Sequence, residues 1–286
     1  GTHAPDTISF FMQNTLQYGD VKALRVQDLM VFDIVASSNW ERPIYFAMTV
    51  SPDGQIGLRD YLQLEGLAFR LTPKKGTSYW SNINENRMRA QLFTDVEKPS
   101  KASALGYRWR GLDNKNTYFD EDVRRLMTNY RQAFGLLAQY YANTPGQNAK
   151  VIETLDRMEK LIPRHVIQMD YRTKIYVANL FNVAGKDDKF RELNGEIITE
   201  LKPMVERGKT EPLSYDNPYI VLMQTYESMQ MFDEALKLVD QIRVVYSKEP
   251  GIEQSIGQIR ARLLAEQSAS RKDTLATSKL SPEKGK

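Results

Sequence analysis

The sequence predicts a mainly α-helical chain: a small α+β unit over residues 1–115, an α-α superhelix of helical hairpins over 116–267, and a disordered tail over 268–286. Three observations carry that expectation. At 286 residues the chain exceeds the usual single core, so two compact units are favoured. Near Phe119 a mixture of helical and extended patterns gives way to a helical pattern that continues to Gln267. Within that second part, apolar positions recur at intervals of 41 and 45 residues.

In RVQDLMVFDIVASSN, the residues Val26, Leu29, Met30, Ile34 and Val35 fall at helical spacing, which predicts a helix over 26–38. PIYFAMTV, rich in aromatic and branched residues and closed by SPDG at 51–54, reads as a strand and a turn. LRDYLQLEG places Leu58, Tyr61, Leu62 and Leu64 as a short helical stripe ending at Gly66, and GLAFRLTP reads as a second strand stopped by Pro73. About a dozen residues separate the two strands, barely enough for a parallel crossover, so their direction stays open. KKGTSYWSNINE reads as a loop, ENRMRAQLFTD as a short helix, and the stretch to Tyr118 as mostly irregular.

The recurrence downstream is specific. Aromatics stand at Tyr140, Phe181 and Tyr226; four residues earlier lie Leu136, Val177 and Leu222; nine later, Ala149, Phe190 and Ala235; twelve later, Ile152, Leu193 and Leu238. Each unit closes on a proline: Pro163, Pro203, Pro250. One unit is a helix, a turn and a second helix, and this resembles the tetratricopeptide repeat, most clearly in the third copy with its MFDEALKL run. A lone hairpin cannot cover its own apolar stripe, so hairpins stack, and IEQSIGQIRARLLAEQ is expected to cap the stack with Ile252, Ile256, Ile259, Leu263 and Leu264 on one face.

Composition excludes several function classes. No apolar run approaches 18 residues and mean hydropathy is -0.51, so no spanning helix is predicted and the chain is expected to be soluble. The net charge of +3 resides in residues 268–286, leaving no basic face for nucleic acid. Zero cysteines exclude disulfides and thiolate chemistry. The opening GTHAPDT lacks an initiator Met and is expected to mark an excised fragment.

No catalytic constellation is predicted. His3 and His165 have no second ligand at metal spacing, so no metal or other cofactor is expected, and Walker, dinucleotide, GxSxG and HExxH patterns are absent. Asp120 with Asp122, and Asp187 with Asp188, read as helix-start or turn residues rather than an acid and base pair. Binding candidates remain. Tyr79 and Trp80 in the SYWSN loop are either a contact surface or a lid on the α+β core. The first helix of each hairpin projects Arg131, Phe134 and Tyr141; then Arg172, Ile175, Asn179 and Asn182; then Asn217, Gln224 and Glu227, a set that suits a peptide groove or a solvated helix face. In NWERPIYFA, Trp40 is expected to wedge between helix and sheet and Pro43 to open the strand, while Arg42 is a candidate for holding a carboxylate or anchoring the unit.

The order QDLMVFDIVASSNWERPIYFAMTV, LRDYLQLEGLAFRLTP and YRWRGLDNKNTYFDEDVRRLMTNYRQAFGLLAQYY resembles the carboxy-terminal region of the bacterial DUF2723 family of multi-spanning membrane proteins, related to protein O-mannosyltransferases. That resemblance implies a periplasmic domain at the inner membrane, tethered to a glycosyltransferase-like body whose catalytic residues lie elsewhere. The expected role is a non-catalytic scaffold with a protein or peptide partner and with the membrane-embedded part of the same chain; the alternative is a glycan-binding helical repeat protein of the envelope.

Overall fold

The computed structural model describes residues 8–12, 14–76, 82–98, 105–208, 212 and 214–279, with 272–279 by backbone alone. The chain is mainly helical, with a small sheet region followed by helices, as the sequence predicts. It divides into two compact units, residues 1–169 with 183–185, and 170–182 with 186–286. The division therefore falls after the first predicted hairpin and not near residue 115.

The first unit begins with a hairpin absent from the sequence reading. Strands β1 (Leu16–Tyr18) and β2 (Val21–Ala23) pair antiparallel across Gly19 and Asp20, with Gly19 at φ +57°. Helix α1 (Val26–Ser37) follows, tied down at its start by one carboxylate. Asp28 accepts from the Arg25 backbone N–H at 3.2 Å, from both sides of the Arg25 guanidinium at 2.9 Å, and from the Thr15 hydroxyl. These donors hold the Asp28 carboxyl down at about 2, with Arg25 the larger cause and Thr15 the second.

Strands β3 (Tyr45–Ala47), β4 (Leu62–Leu64) and β5 (Ala68–Leu71) form a sheet in the order β3-β5-β4, with both pairings antiparallel. The helical stripe expected over 58–64 is instead a short 3-10 turn at Arg59–Tyr61 running into β4. Leu62 and Leu64 face inward at period two, and the strands that could have required a crossover belong to a sheet whose β4 and β5 are joined by a tight hairpin. Gly66 makes that hairpin possible: it sits at φ +86°, and a Cβ there would lie 2.4 Å from the Tyr107 hydroxyl.

Helix α2 (Glu85–Phe93), capped by the Asn84 side chain, explains why the first hairpin belongs to this unit. Its Met88 and Leu92 are buried, and Phe93 meets Phe134 of α3 (Glu121–Ala142) at 6.5 Å. Trp109 adds edge contacts to Tyr107 and Tyr130 at 5.7 and 5.2 Å. The polar face of α2 is also engaged: Arg89 pairs bidentately with Glu153 of α4 (Asn148–Leu161), and Glu85 accepts from Lys150 and from Tyr141, each at 2.9 Å. Helices α3 and α4 pack as a hairpin around Phe134, Leu137, Ala138, Val151, Leu155 and Met158. Asp120 caps α3 by accepting from the Val123 N–H at 2.8 Å.

The second unit contains α5 (Tyr171–Val183, except its last residue), α6 (Asp187–Glu206), α7 (Pro218–Ser228), α8 (Phe232–Val245) and α9 (Ile252–Lys279). Its core joins Ile197, Leu201, Leu222, Tyr226, Ala235, Leu238, Ile242, Ile252, Ile256 and Leu263. The aligned positions of the second and third hairpins are all buried: Val177, Phe181, Phe190 and Leu193, then Leu222, Tyr226, Ala235 and Leu238. The first hairpin departs from them. Tyr140 is half-buried and Ala149 exposed, while Tyr141 and Val151 take the inner positions, because the α3–α4 connection over 143–147 is longer than those over 184–186 and 229–231.

Three further expectations change. Pro203 does not close a unit but lies within the last turns of α6, where the helix continues to Glu206. On α9, Ile252, Ile256 and Leu263 are buried but Leu264 is exposed, since a step of one residue turns it about 100° from Leu263. The same helix runs on to Lys279, through most of the stretch expected as a tail; residues 280–286 lie outside the described residues.

Candidate functional site

The most distinctive local geometry in the first unit lies where α1 hands over to β3. After Ser38, the residues Asn39 and Trp40 both adopt left-handed backbone, at φ +49° and +61°. Asn tolerates that region; a bulky Trp does so only at a cost. The reversal is held by the Glu41 N–H donating to Ser38 O at 2.9 Å. Its effect is to turn Trp40 outward, 42% exposed, so the expected wedge between helix and sheet is not formed. Pro43 and Tyr45 are exposed as well, and only Phe46 of NWERPIYFA is fully buried.

The turned segment and the end of β5 enclose a cleft of about 560 Å³, lined by residues 39–44 and 70–73. Two guanidinium groups border it. Arg42 is exposed and has no hydrogen-bond or ion-pair partner among the described residues. Arg70, opposite Tyr45 in the sheet, reaches Glu65 only at 3.9 Å. The Glu65 carboxylate is already engaged, accepting from the Tyr45 hydroxyl at 3.1 Å and from Asn84 at 2.9 Å. Burial, and then this carboxylate, raise the Tyr45 hydroxyl above its ordinary range.

Beside the cleft, α1 is packed inside out. Asp28 is its one buried residue, whereas Val26, Met30 and Ile34 are 74%, 61% and 55% exposed. Leu29 and Phe32 are exposed too, and the Phe32 ring lies 6.5 Å from the Phe10 ring. Val26, Met30 and Ile34 follow one another at i, i+4, i+8, so they form a continuous outward ridge.

The groove candidates scatter. Arg131 and Tyr141 are 2% and 1% exposed, which removes both from any open groove. Arg131 donates to Ile162 O at 3.2 Å, to Gln168 O at 3.0 Å and to Ile167 O, so it organises the chain after α4. Tyr141 donates to Glu85, and burial pushes its hydroxyl up to about 12. In the second unit, Arg172 and Asn179 lie on one exposed face of α5 seven residues apart, with Asn182 turned away by about 80°. Arg172 is committed to Asp216 at 3.0 Å and stacks 4.9 Å over Tyr171. Gln224 is exposed on α7; Asn217 is buried as its cap, accepting from the Tyr219 N–H. Glu227 pairs with Arg262 of α9 at 2.9 Å, while burial raises its carboxyl above the usual range. Tyr79 and Trp80 lie outside the described residues, as does His3.

His165 is exposed at a hollow of about 210 Å³ that Arg124 also lines. Among the described residues there is no group of acidic or histidine side chains arranged to hold a metal ion, and no helix long and apolar enough to cross a membrane.

Residues 4–91 match the family model described as TMEM260-associated domain 2. No curated protein and no solved structure matches the chain. The matched span holds α1, the three-stranded sheet and the cleft.

Proposed function

We propose that the chain is a non-catalytic interaction domain on the periplasmic face of a membrane, and that α1 seats it against the membrane-embedded body of a glycosyltransferase-like protein. The observation that carries this reading is the outward apolar ridge of Val26, Met30 and Ile34 within a segment similar to TMEM260-associated domain 2. An ordinary surface helix turns such a ridge inward. Here the inner side is occupied by Asp28, Val31 and Val35, and the outer side offers Leu29 in addition to the ridge, with the exposed Asp33 between them. Contiguous exposed apolar surface of this kind marks a contact.

The ionisable residues support a structural use of charge in the rest of the chain. Arg89 with Glu153, Lys150 with Glu85, and Lys174 with Glu200 each connect one helix to another. In this reading the hairpins of the second unit form a tetratricopeptide-like surface for a protein or peptide partner, with Asn179 and Gln224 presented to it.

The test is site-specific photo-crosslinking in native membranes, from Met30 and Ile34 and from the exposed control position Lys202. Adducts from the two α1 positions to a membrane-spanning segment, of the same or another polypeptide, are expected, with none from Lys202. Equal labelling from all three positions, or labelling of aqueous-phase proteins alone, refutes the seat.

A further inference from the structure

We infer that the cleft between the 39–44 segment and the end of β5 is a binding site for the carboxylate of an extended peptide, with the peptide backbone paired to the outward N–H and C=O of Tyr45 on β3. This does not depend on the proposed function of α1, which concerns a different surface. The cleft volume of about 560 Å³ lies within the range of sites for small ligands. Its charge points to an anion: Arg42 has no partner among the described residues, and Arg70 is held only at 3.9 Å by a carboxylate that already serves Tyr45 and Asn84. Glu41 also lines the cleft, which leaves a lining charge of +1 and suits a singly charged carboxylate better than a phosphate dianion.

The edge supplies the second element. Leu71 donates to Ile44 O at 2.9 Å and Met48 donates to Leu67 O at 3.0 Å, so residues 44, 46 and 48 direct their backbone groups to β5. Tyr45, between them, directs its N–H and C=O to the other side, where no strand pairs with β3 among the described residues. A peptide added there ends beside the cleft, and strand addition combined with capture of a terminal carboxylate is an established recognition mode. Trp40 lines the cleft and offers an apolar wall for the last side chain, which gives its left-handed backbone a purpose.

The experiment is ¹⁵N NMR of the whole chain, following the Trp40 indole and Tyr45 amide signals. The probes are acetylated tetrapeptides with mixed side chains and free carboxy-termini, the same peptides amidated, inorganic phosphate and glucose. Saturable shifts at both signals with the free acids are expected, at least tenfold weaker with the amides, and weakened about tenfold by Arg42→Gln and by Arg70→Gln. Signals remote from the cleft must stay unchanged in both variants, which separates lost binding from lost folding. Equal binding of acids and amides, tighter binding of phosphate or glucose, or no saturable shift at about 10 mM peptide overturns the assignment.

Discussion

Replacing Arg131 by Met tests whether the residue supports the fold or reads a ligand. Its guanidinium donates to three main-chain carbonyls, those of Ile162, Ile167 and Gln168, in a site 2% exposed. Methionine keeps much of the volume and supplies no donor. Each buried carbonyl left without a partner costs about 1–3 kcal/mol, an upper sum of about 9; relaxation and entering water reduce this to about 3–5 kcal/mol, as for other broken buried charge contacts. For a unit of this size, about 2–4 °C per kcal/mol gives a fall in Tm of about 6–20 °C. Tryptophan fluorescence isolates the relevant transition, because Trp40, Trp80 and Trp109 all belong to the first unit. Arg131→Lys, which keeps one cationic donor, is expected to fall between the two. A Tm within about 2 °C of the parent refutes the structural role.

Other perturbations give equally distinct outcomes. Trp40→Gly removes a left-handed non-glycine residue that is 42% exposed, so stability rises by about 1 kcal/mol while the peptide-induced shift of the Tyr45 amide disappears; a lower calorimetric Tm would show that Trp40 packs more than its backbone costs. Met30→Gln with Ile34→Gln leaves urea-unfolding stability within about 0.5 kcal/mol per site, and sedimentation at high concentration shows less self-association than the parent. The Asp28 carboxyl is depressed from 3.8 to about 2, so its contribution is fully present above 3.8 and is lost as pH falls from there through about 2. Asp28→Asn therefore flattens the acid limb of a near-ultraviolet circular dichroism titration in that window; an unchanged limb contradicts the pairing with Arg25 and Thr15.

The helical second unit was readable because local and tertiary signals agree there. Leu222, Tyr226, Ala235, Leu238, Ile252 and Ile256 recur at helical spacing and do enter one core. For Arg131, Phe134 and Tyr141, periodicity says which residues share a face and not which way that face points; theirs points inward. Helix α1 shows the same ambiguity in reverse, because Val26, Met30 and Ile34 at helical spacing point outward. Strands of three residues leave almost no alternation to detect, although Gly19 and Asp20 between apolar residues were an available turn signal. Over 58–64, a short apolar run fits a helix or a strand, and the glycine hairpin at Gly66 decides. Arg42 was recognisable as a candidate, but the cleft around it needs positive φ at Asn39 and Trp40, which no residue pattern announces.

The ties from α2 to α3 and α4 bear on how such chains diversify. A hairpin fastened through Arg89 to Glu153 and through Glu85 to Lys150 cannot be copied, deleted or transplanted as a free tile, because its neighbour would be stripped of counter-ions and aromatic cover. Gene duplication and loss are therefore expected to act downstream of residue 170, leaving the first hairpin with the sheet-bearing half.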